Sequence, residues 1–184
     1  MSQQAFRARR RVLSFGAALV AAPILALSPK TRASAGTRSL AFEHTHTGEK
    51  LSLIYAVGDQ YVTSALGAVR EFLRDFRNGA THVIDPALLD QLHALATATA
   101  TGAPFQVISG YRSPATNAML QREGHDVATS SLHLQGQAID IRLADVALAD
   151  LRDAALSLRA GGVGYYPSPS SDFVHVDTGS VRRW

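Results

Sequence analysis

An α+β domain with a small antiparallel sheet flanked by helices is the fold this sequence predicts, on three observations. Apolar and polar side chains alternate along Leu40–Thr47, and a second apolar run, Lys50–Tyr55, follows after a turn. Two stretches with apolar residues at helical spacing come next, over 64–78 and 85–101. Beyond Phe105 the chain gives short apolar runs bounded by Gly, Pro and Ser, with one more amphipathic stretch among them. Strands, helices and strands again, with no repeats and no linker in 184 residues, argue for one domain over 36–184.

The composition excludes several classes. Apolar residues make up 46% and charged residues 18%, an ordinary globular balance. The net charge of +3 is carried by the first 35 residues, which hold six basic and no acidic side chains; the remainder has 12 basic against 15 acidic. With no basic stripe and no RNA-binding or zinc-finger motif, nucleic acid is not an expected partner. Cysteine is absent. Disulfides and thiolate metal sites are therefore excluded, and any metal must be held by imidazole and carboxylate.

Residues 1–35 read as a signal peptide. Arg9-Arg10-Arg11-Val12-Leu13 precedes an apolar run, Phe15–Leu27, too short and interrupted for a membrane span, and Ala33-Ser34-Ala35 offers a small-x-small cleavage site. The Arg-Arg-x-apolar-Leu order points to twin-arginine export, with an ordinary secretory signal as the alternative. Either places the domain outside the cytoplasm, in the periplasm, with the leader its one expected tie to the membrane.

The elements follow in order. Leu40–Tyr55 predicts a hairpin turning at Thr47-Gly48-Glu49. His44 and His46 share its exposed face and read as polar surface rather than ligands. Leu66, Val69, Phe72, Leu73 and Phe76 predict a helix over Ser64–Asn78, closed by Gly79, with Arg70, Glu71, Arg74 and Asp75 on a solvated face. Asp85-Pro86 is an N-cap followed by proline at the first helical position, opening a helix to about Thr101 that carries His93 as a partly exposed polar residue. Phe105–Ile108 is a strand, Ser109–Pro114 a loop, and a helix runs from Pro114 to Gln121. Glu123–Ser130 is a polar loop containing His125. Ala138–Arg142 is a strand, Leu148–Arg159 a helix stopped by Gly161-Gly162, and Val163–Pro167 and Phe173–Val176 are strands.

The chemistry concentrates in two stretches, Ser131–Asp140 and Asp172–Asp177. His133, Asp140 and His175 offer two imidazoles and a carboxylate, a ligand set that binds zinc and leaves a position for water. Gly136 permits a tight turn ahead of the Asp140 strand, and Ala138 leaves room beside the metal. A zinc ion acidifies water, and a carboxylate must then take the proton and pass it to a leaving amine. Two residues compete for that task. In an unbroken strand Asp177 shares the face of His175 and Asp172 does not; Asp172 follows a Ser/Pro loop, where that parity need not hold. Arg112, in the Ser-Gly-Tyr-Arg-Ser loop, is placed to stabilise an oxyanion or grip a carboxylate, against the plain reading of a surface arginine in a turn.

Ser131-x-His133-x-x-Gly136-x-Ala138-x-Asp140, with His175-Val-Asp177 downstream, resembles the zinc D-alanyl-D-alanine carboxypeptidase and dipeptidase family, whose wider group holds lysostaphin-type enzymes and the hedgehog signalling domain. Ser109–Ser113 and Gly162-Val163-Gly164-x-Tyr166 extend the likeness over about 105–184, and it is nearest to an exported branch that includes murein endopeptidases. The resemblance implies that fold, with Zn2+ on His133, Asp140 and His175. It implies Asp172 as general base, Arg112 in a substrate or transition-state role, Ser131 as a substrate contact, and Asp177 as an orienter of a ligand imidazole, with Asp177 kept as the alternative base. It implies a monomeric periplasmic peptidase acting on peptidoglycan stem peptides or cross-links. The hedgehog relatives keep a second reading open, a non-catalytic zinc-bearing module that binds peptidoglycan or an envelope protein.

Overall fold

The alternating start of the domain forms a hairpin of β1 (Thr37–His44) and β2 (Lys50–Val57), extended by β3 (Gln60–Tyr61). The computed structural model describes residues 36–124, 127–169 and 171–184; the expected leader over 1–35 and His125 lie outside the described residues. Among the described residues four helices follow the hairpin, interleaved with strands: α1 (Thr63–Phe72), α2 (Pro86–Thr99), α3 (Pro114–Arg122) and α4 (Leu148–Leu158). The strands are β4 (Phe105–Ser109), β5 (Ala138–Arg142), β6 (Gly162–Tyr166), β7 (Phe173–Asp177) and β8 (Arg182–Arg183). Among the described residues no helix is long and apolar enough to cross a membrane.

The expected mixed α+β class holds, but the sheet is neither small nor antiparallel. It has eight strands in the order β3-β2-β1-β4-β5-β7-β6-β8, and β1 pairs with β4, and β6 with β8, in parallel. The first parallel pair has the long connection that parallel strands need: the chain leaves the hairpin, passes through α1 and α2, and returns as β4 beside β1 in the same direction. The second follows from β8 returning beside β6 after the chain has reversed into β7. Neither two-residue strand, β3 or β8, is long enough to carry an alternating pattern.

The sheet has a greasy face and a chemical face. Leu88, Leu89, Leu92 and Leu95 of α2 and Leu151 of α4 are fully buried with Ile139, Ile141, Val174 and Val176 of β5 and β7. Each such side chain contributes about 1.5–3 kcal/mol on burial. Because strand side chains alternate, Asp140 on β5 and His175 on β7 point to the opposite face, and they stand directly across from one another in the pairing. The register of the core thus aims two of the candidate ligands.

Two expectations from the first third of the chain are corrected. The helix expected over Ser64–Asn78 ends at Phe72, and Asp75 is not on a solvated face: it is buried, accepts the N–H groups of Arg77 (3.1 Å) and Ser113 (2.9 Å), and organises a turn instead. Burial alone pushes its carboxyl pKa up, but hydrogen bonds from the Thr116 hydroxyl, from Ser113 and from the Arg77 N–H outweigh this and hold it below its ordinary value. Of the His44/His46 pair, only His46 lies on the exposed surface expected for both. His44 is 1% exposed among Phe72, Phe76 and His46, while His46 stacks on Phe76 with ring centroids 4.3 Å apart.

Candidate metal centre and its cleft

His133 reaches the site on a single 3-10 turn, Leu132–Gln135, that ends where Gly136 takes a positive φ of 66°. A side chain at 136 would collide with the Val83 carbonyl oxygen at 2.1 Å, so only glycine lets the turn press this closely on the segment before α2. Asp85 N–H bonds to the Gly136 carbonyl (2.9 Å) and Arg112 N–H to the His133 carbonyl (3.1 Å), fastening the turn on two sides. Gly110 sits against Leu73, where an added Cβ would lie 2.7 Å from a backbone oxygen, and presents its own carbonyl to His133.

The three donors converge. His133 Nε2 lies 3.2 Å from Asp140 Oδ1 and 3.2 Å from His175 Nδ1, and His175 Nδ1 lies 2.9 Å from Asp140 Oδ1. Three ligands about 2.0 Å from one ion at tetrahedral angles stand about 3.3 Å apart, so the triangle has the size of a metal site. The surroundings set the protonation. A carbonyl only accepts, so the 2.7 Å contact to Gly110 places a hydrogen on His133 Nδ1 and leaves Nε2 with a lone pair. The Asp177 carboxylate accepts from His175 Nε2 at 3.2 Å, which leaves Nδ1 with the lone pair. Two lone pairs and a carboxylate oxygen, all buried and facing one another, repel unless a cation or a proton stands between them. His133, Asp140 and His175 are a group that could hold a metal ion.

Asp177 is fully buried. Its Oδ1 accepts N–H groups from Gly162 (3.0 Å) and Gly179 (2.8 Å), and its Oδ2 accepts from Arg182 Nη2 at 2.7 Å besides His175. Burial pushes its pKa up, but the bonds from His175 and the two glycines outweigh this and hold it at about 2. Asp172 stands elsewhere. It adopts a positive φ of 39°, a conformation asparagine and aspartate tolerate better than most residues. Its half-exposed carboxylate pairs with Arg142 at 3.0 Å, and Asp172 is not among the residues that line the cleft.

That cleft, about 410 Å³, is walled by His133, Asp140, His175, Ser131 and Arg112, which the sequence singled out, by Tyr166, which it named as part of the likeness but gave no role, and by Phe173, Arg182 and Trp184, which it did not single out. Arg112 is not a surface arginine: it is 9% exposed, and its Nε is buried without a partner. Burial pulls its pKa down and Asp140 pulls it back up. Tyr166 had a signal in the Gly162-x-Gly164-x-Tyr166 spacing, which puts all three on the His175 face of the sheet; Arg182 and Trp184 had none.

Without a metal, His175 becomes a strong base. Burial lowers its pKa, but the bonds to Asp140 and Asp177 outweigh burial and raise it from 6.5 to about 9. The proton stabilises the fold fully below pH 6.5, and that contribution is lost as pH rises through 9. Metal-stripped protein is therefore expected to melt lower at pH 9 than at pH 6.5, by up to about 3 kcal/mol from this group, while metal-loaded protein shows no such loss. Thermal melts across that range, with chelator and with added zinc, check it.

The family Peptidase_M15_2, described as peptidoglycan L,D-endopeptidase MepK, matches residues 32–184. The chain is 42% identical over 177 residues to the peptidoglycan L,D-endopeptidase MepK of Escherichia coli (strain K12), covering 96% of each chain, and equally so to that of Shigella flexneri. It is 39% identical over 178 residues to the probable peptidoglycan L,D-endopeptidase MepK of Haemophilus influenzae, covering 96% of this chain and 95% of the relative. With the match reaching across the whole described domain and both halves of the metal triangle, the chain belongs to this M15 peptidase family.

Proposed function

We propose that the protein is a periplasmic zinc peptidase, exported by residues 1–35 on the twin-arginine route, that hydrolyses peptide bonds in peptidoglycan stem peptides or their cross-links. The L,D specificity in the names of its relatives is carried over to it. The observation that supports this most is the convergence of two imidazole lone pairs and one carboxylate, with both outer ring nitrogens already committed, on the floor of a cleft beside a buried guanidinium.

In this reading His133, Asp140 and His175 hold Zn2+, which when bound supplies the Lewis acidity that acidifies water and polarises a carbonyl. Asp177 keeps the His175 ring in the ligating tautomer. Asp172 takes the proton from the attacking water and returns it to the leaving amine as the C–N bond breaks. Arg112, desolvated and short of partners, grips a substrate carboxylate or the oxyanion more strongly than an exposed arginine would, and Ser131 contacts the peptide at the rim. The protein works as a monomer.

The test is digestion of purified sacculi by the zinc-loaded mature domain, followed by muropeptide analysis. Cross-linked species are expected to fall and new uncrosslinked products to rise, and a chelator is expected to stop both. Unchanged sacculi beside an active control hydrolase would refute the reading.

A further inference from the structure

The hydroxyl of Tyr166 is left over by the roles above, although it stands in the cleft with the metal triangle. Tyr166 lies on β6 two residues after Gly164, which pairs directly with His175, so the ring rises from the same face of the sheet. It pairs across the strands with Phe173 and stacks on it, with ring centroids 4.6 Å apart. Its oxygen accepts the indole N–H of Trp184 at 2.6 Å. The indole is fixed in turn. Trp184 is held to β6 by two backbone bonds, from its N–H to Val163 O (3.2 Å) and from Tyr165 N–H to its own carbonyl (3.1 Å). Its ring packs 5.2 Å from His175 with the Arg182 guanidinium 5.0 Å away. Gly164 makes room for it, since a Cβ there would lie 2.8 Å from the indole.

This arrangement decides where the hydroxyl proton goes. An indole N–H can only donate, so the Tyr166 oxygen is the acceptor in that bond and its own hydrogen must point elsewhere. No other hydrogen bond of this hydroxyl occurs among the described residues. Arg112 lines the same cleft and lies within electrostatic reach of Tyr166. An unspent donor, held at a fixed angle by a stacked ring and an anchored indole, is the kind of preoriented dipole that stabilises charge as it develops.

We propose that Tyr166 is a further catalytic residue, whose hydroxyl hydrogen-bonds the scissile carbonyl oxygen as it turns into the tetrahedral oxyanion, with Trp184 as the positioning residue that aims it. The proton remains on Tyr166 throughout, so no bond of the tyrosine is made or broken. The inference rests on the peptidase reading above and adds a donor to it that the resemblance did not supply.

Tyr166→Phe removes the hydroxyl and keeps the stack on Phe173. It is expected to lower kcat about 10²–10³-fold, with KM within about threefold, zinc content unchanged and thermal midpoint unchanged. Trp184→Phe keeps a ring beside His175 and removes the N–H, and is expected to lower kcat about tenfold, less than Tyr166→Phe. Affinity for a phosphinate analogue of the stem peptide, which carries the tetrahedral anion, should fall by the same factor as kcat in each variant, because only the transition state makes this contact. Wild-type kcat in Tyr166→Phe, a change in KM alone, or a loss of zinc or thermal stability that accounts for the effect would each overturn the inference. Zinc-loaded wild-type protein that cleaves nothing overturns the proposed function and this inference together; active wild type beside an unimpaired Tyr166→Phe overturns this inference alone.

Discussion

Alanine at Asp172 is expected to cut kcat by about 10²–10⁴ while the protein keeps its full complement of zinc. The case for Asp172 is partly a case against Asp177. Every acceptor direction of Asp177 is used, by His175, Gly162, Gly179 and Arg182, and its pKa is held at about 2. A carboxylate that saturated and that weakly basic takes no proton from water at neutral pH. Asp172 has one ion pair, to Arg142, whose own Nε is tied to Gln106 at 2.7 Å, and half of its surface meets solvent. Asp172 itself is not among the residues that line the cleft, although its neighbour Phe173 is; the expected result requires its side chain to turn towards that cleft. Asp177→Ala is expected to fail differently. It frees the His175 ring and leaves two buried N–H groups unpaired, so zinc affinity falls about 10–100-fold and turnover returns as zinc is raised. Metal analysis and kinetics at saturating zinc separate the two; normal turnover in Asp172→Ala together with a zinc-replete, inactive Asp177→Ala would reverse the roles.

His133→Ala is expected to abolish measurable turnover and to weaken zinc binding by at least two orders of magnitude. Structural zinc sites bind with about 10–16 kcal/mol shared among four ligands, so one imidazole is worth roughly 3 kcal/mol. More than a ligand goes, however. The Gly110 carbonyl loses the 2.7 Å bond from Nδ1, and the remaining donors, His175 and Asp140, are left 2.9 Å apart, a spacing that suits a shared proton. The variant should therefore fold, since that proton offsets the lost contact, while isothermal titration with zinc and the sacculus assay both fall to background. Retained tight zinc binding in His133→Ala would remove this histidine from the metal site.

How much of this was legible beforehand differs by residue. Asp140 and His175 were readable because their chemistry coincides with strand periodicity: polar residues interrupting apolar runs at opposed positions must leave the core face together. His133 was readable through Gly136, whose positive φ the turn requires. Asp75 was not, because a buried aspartate that accepts two backbone N–H groups has the same spacing as one on a solvated helix face. Nor was His44, since an alternating hairpin does not say which face a later helix will cover. The parallel pairing of β1 with β4 depends on where a sixty-residue excursion lands, which no local pattern encodes. Trp184 lies beyond the reach of periodicity altogether, at the end of a two-residue strand.

Every side chain assigned a part in the chemistry lies after residue 111, yet the backbone that seats them is bolted to an earlier stretch. Tyr111 N–H is held by the Leu73 carbonyl (2.8 Å), Ser113 by Asp75, and Gly136 by Asp85. An excised fragment beginning at Phe105 would inherit all the reagents but lose these three fastenings. For anyone transplanting this centre into another scaffold, the parts list therefore begins near Leu73, forty residues ahead of the first atom that would meet a peptide.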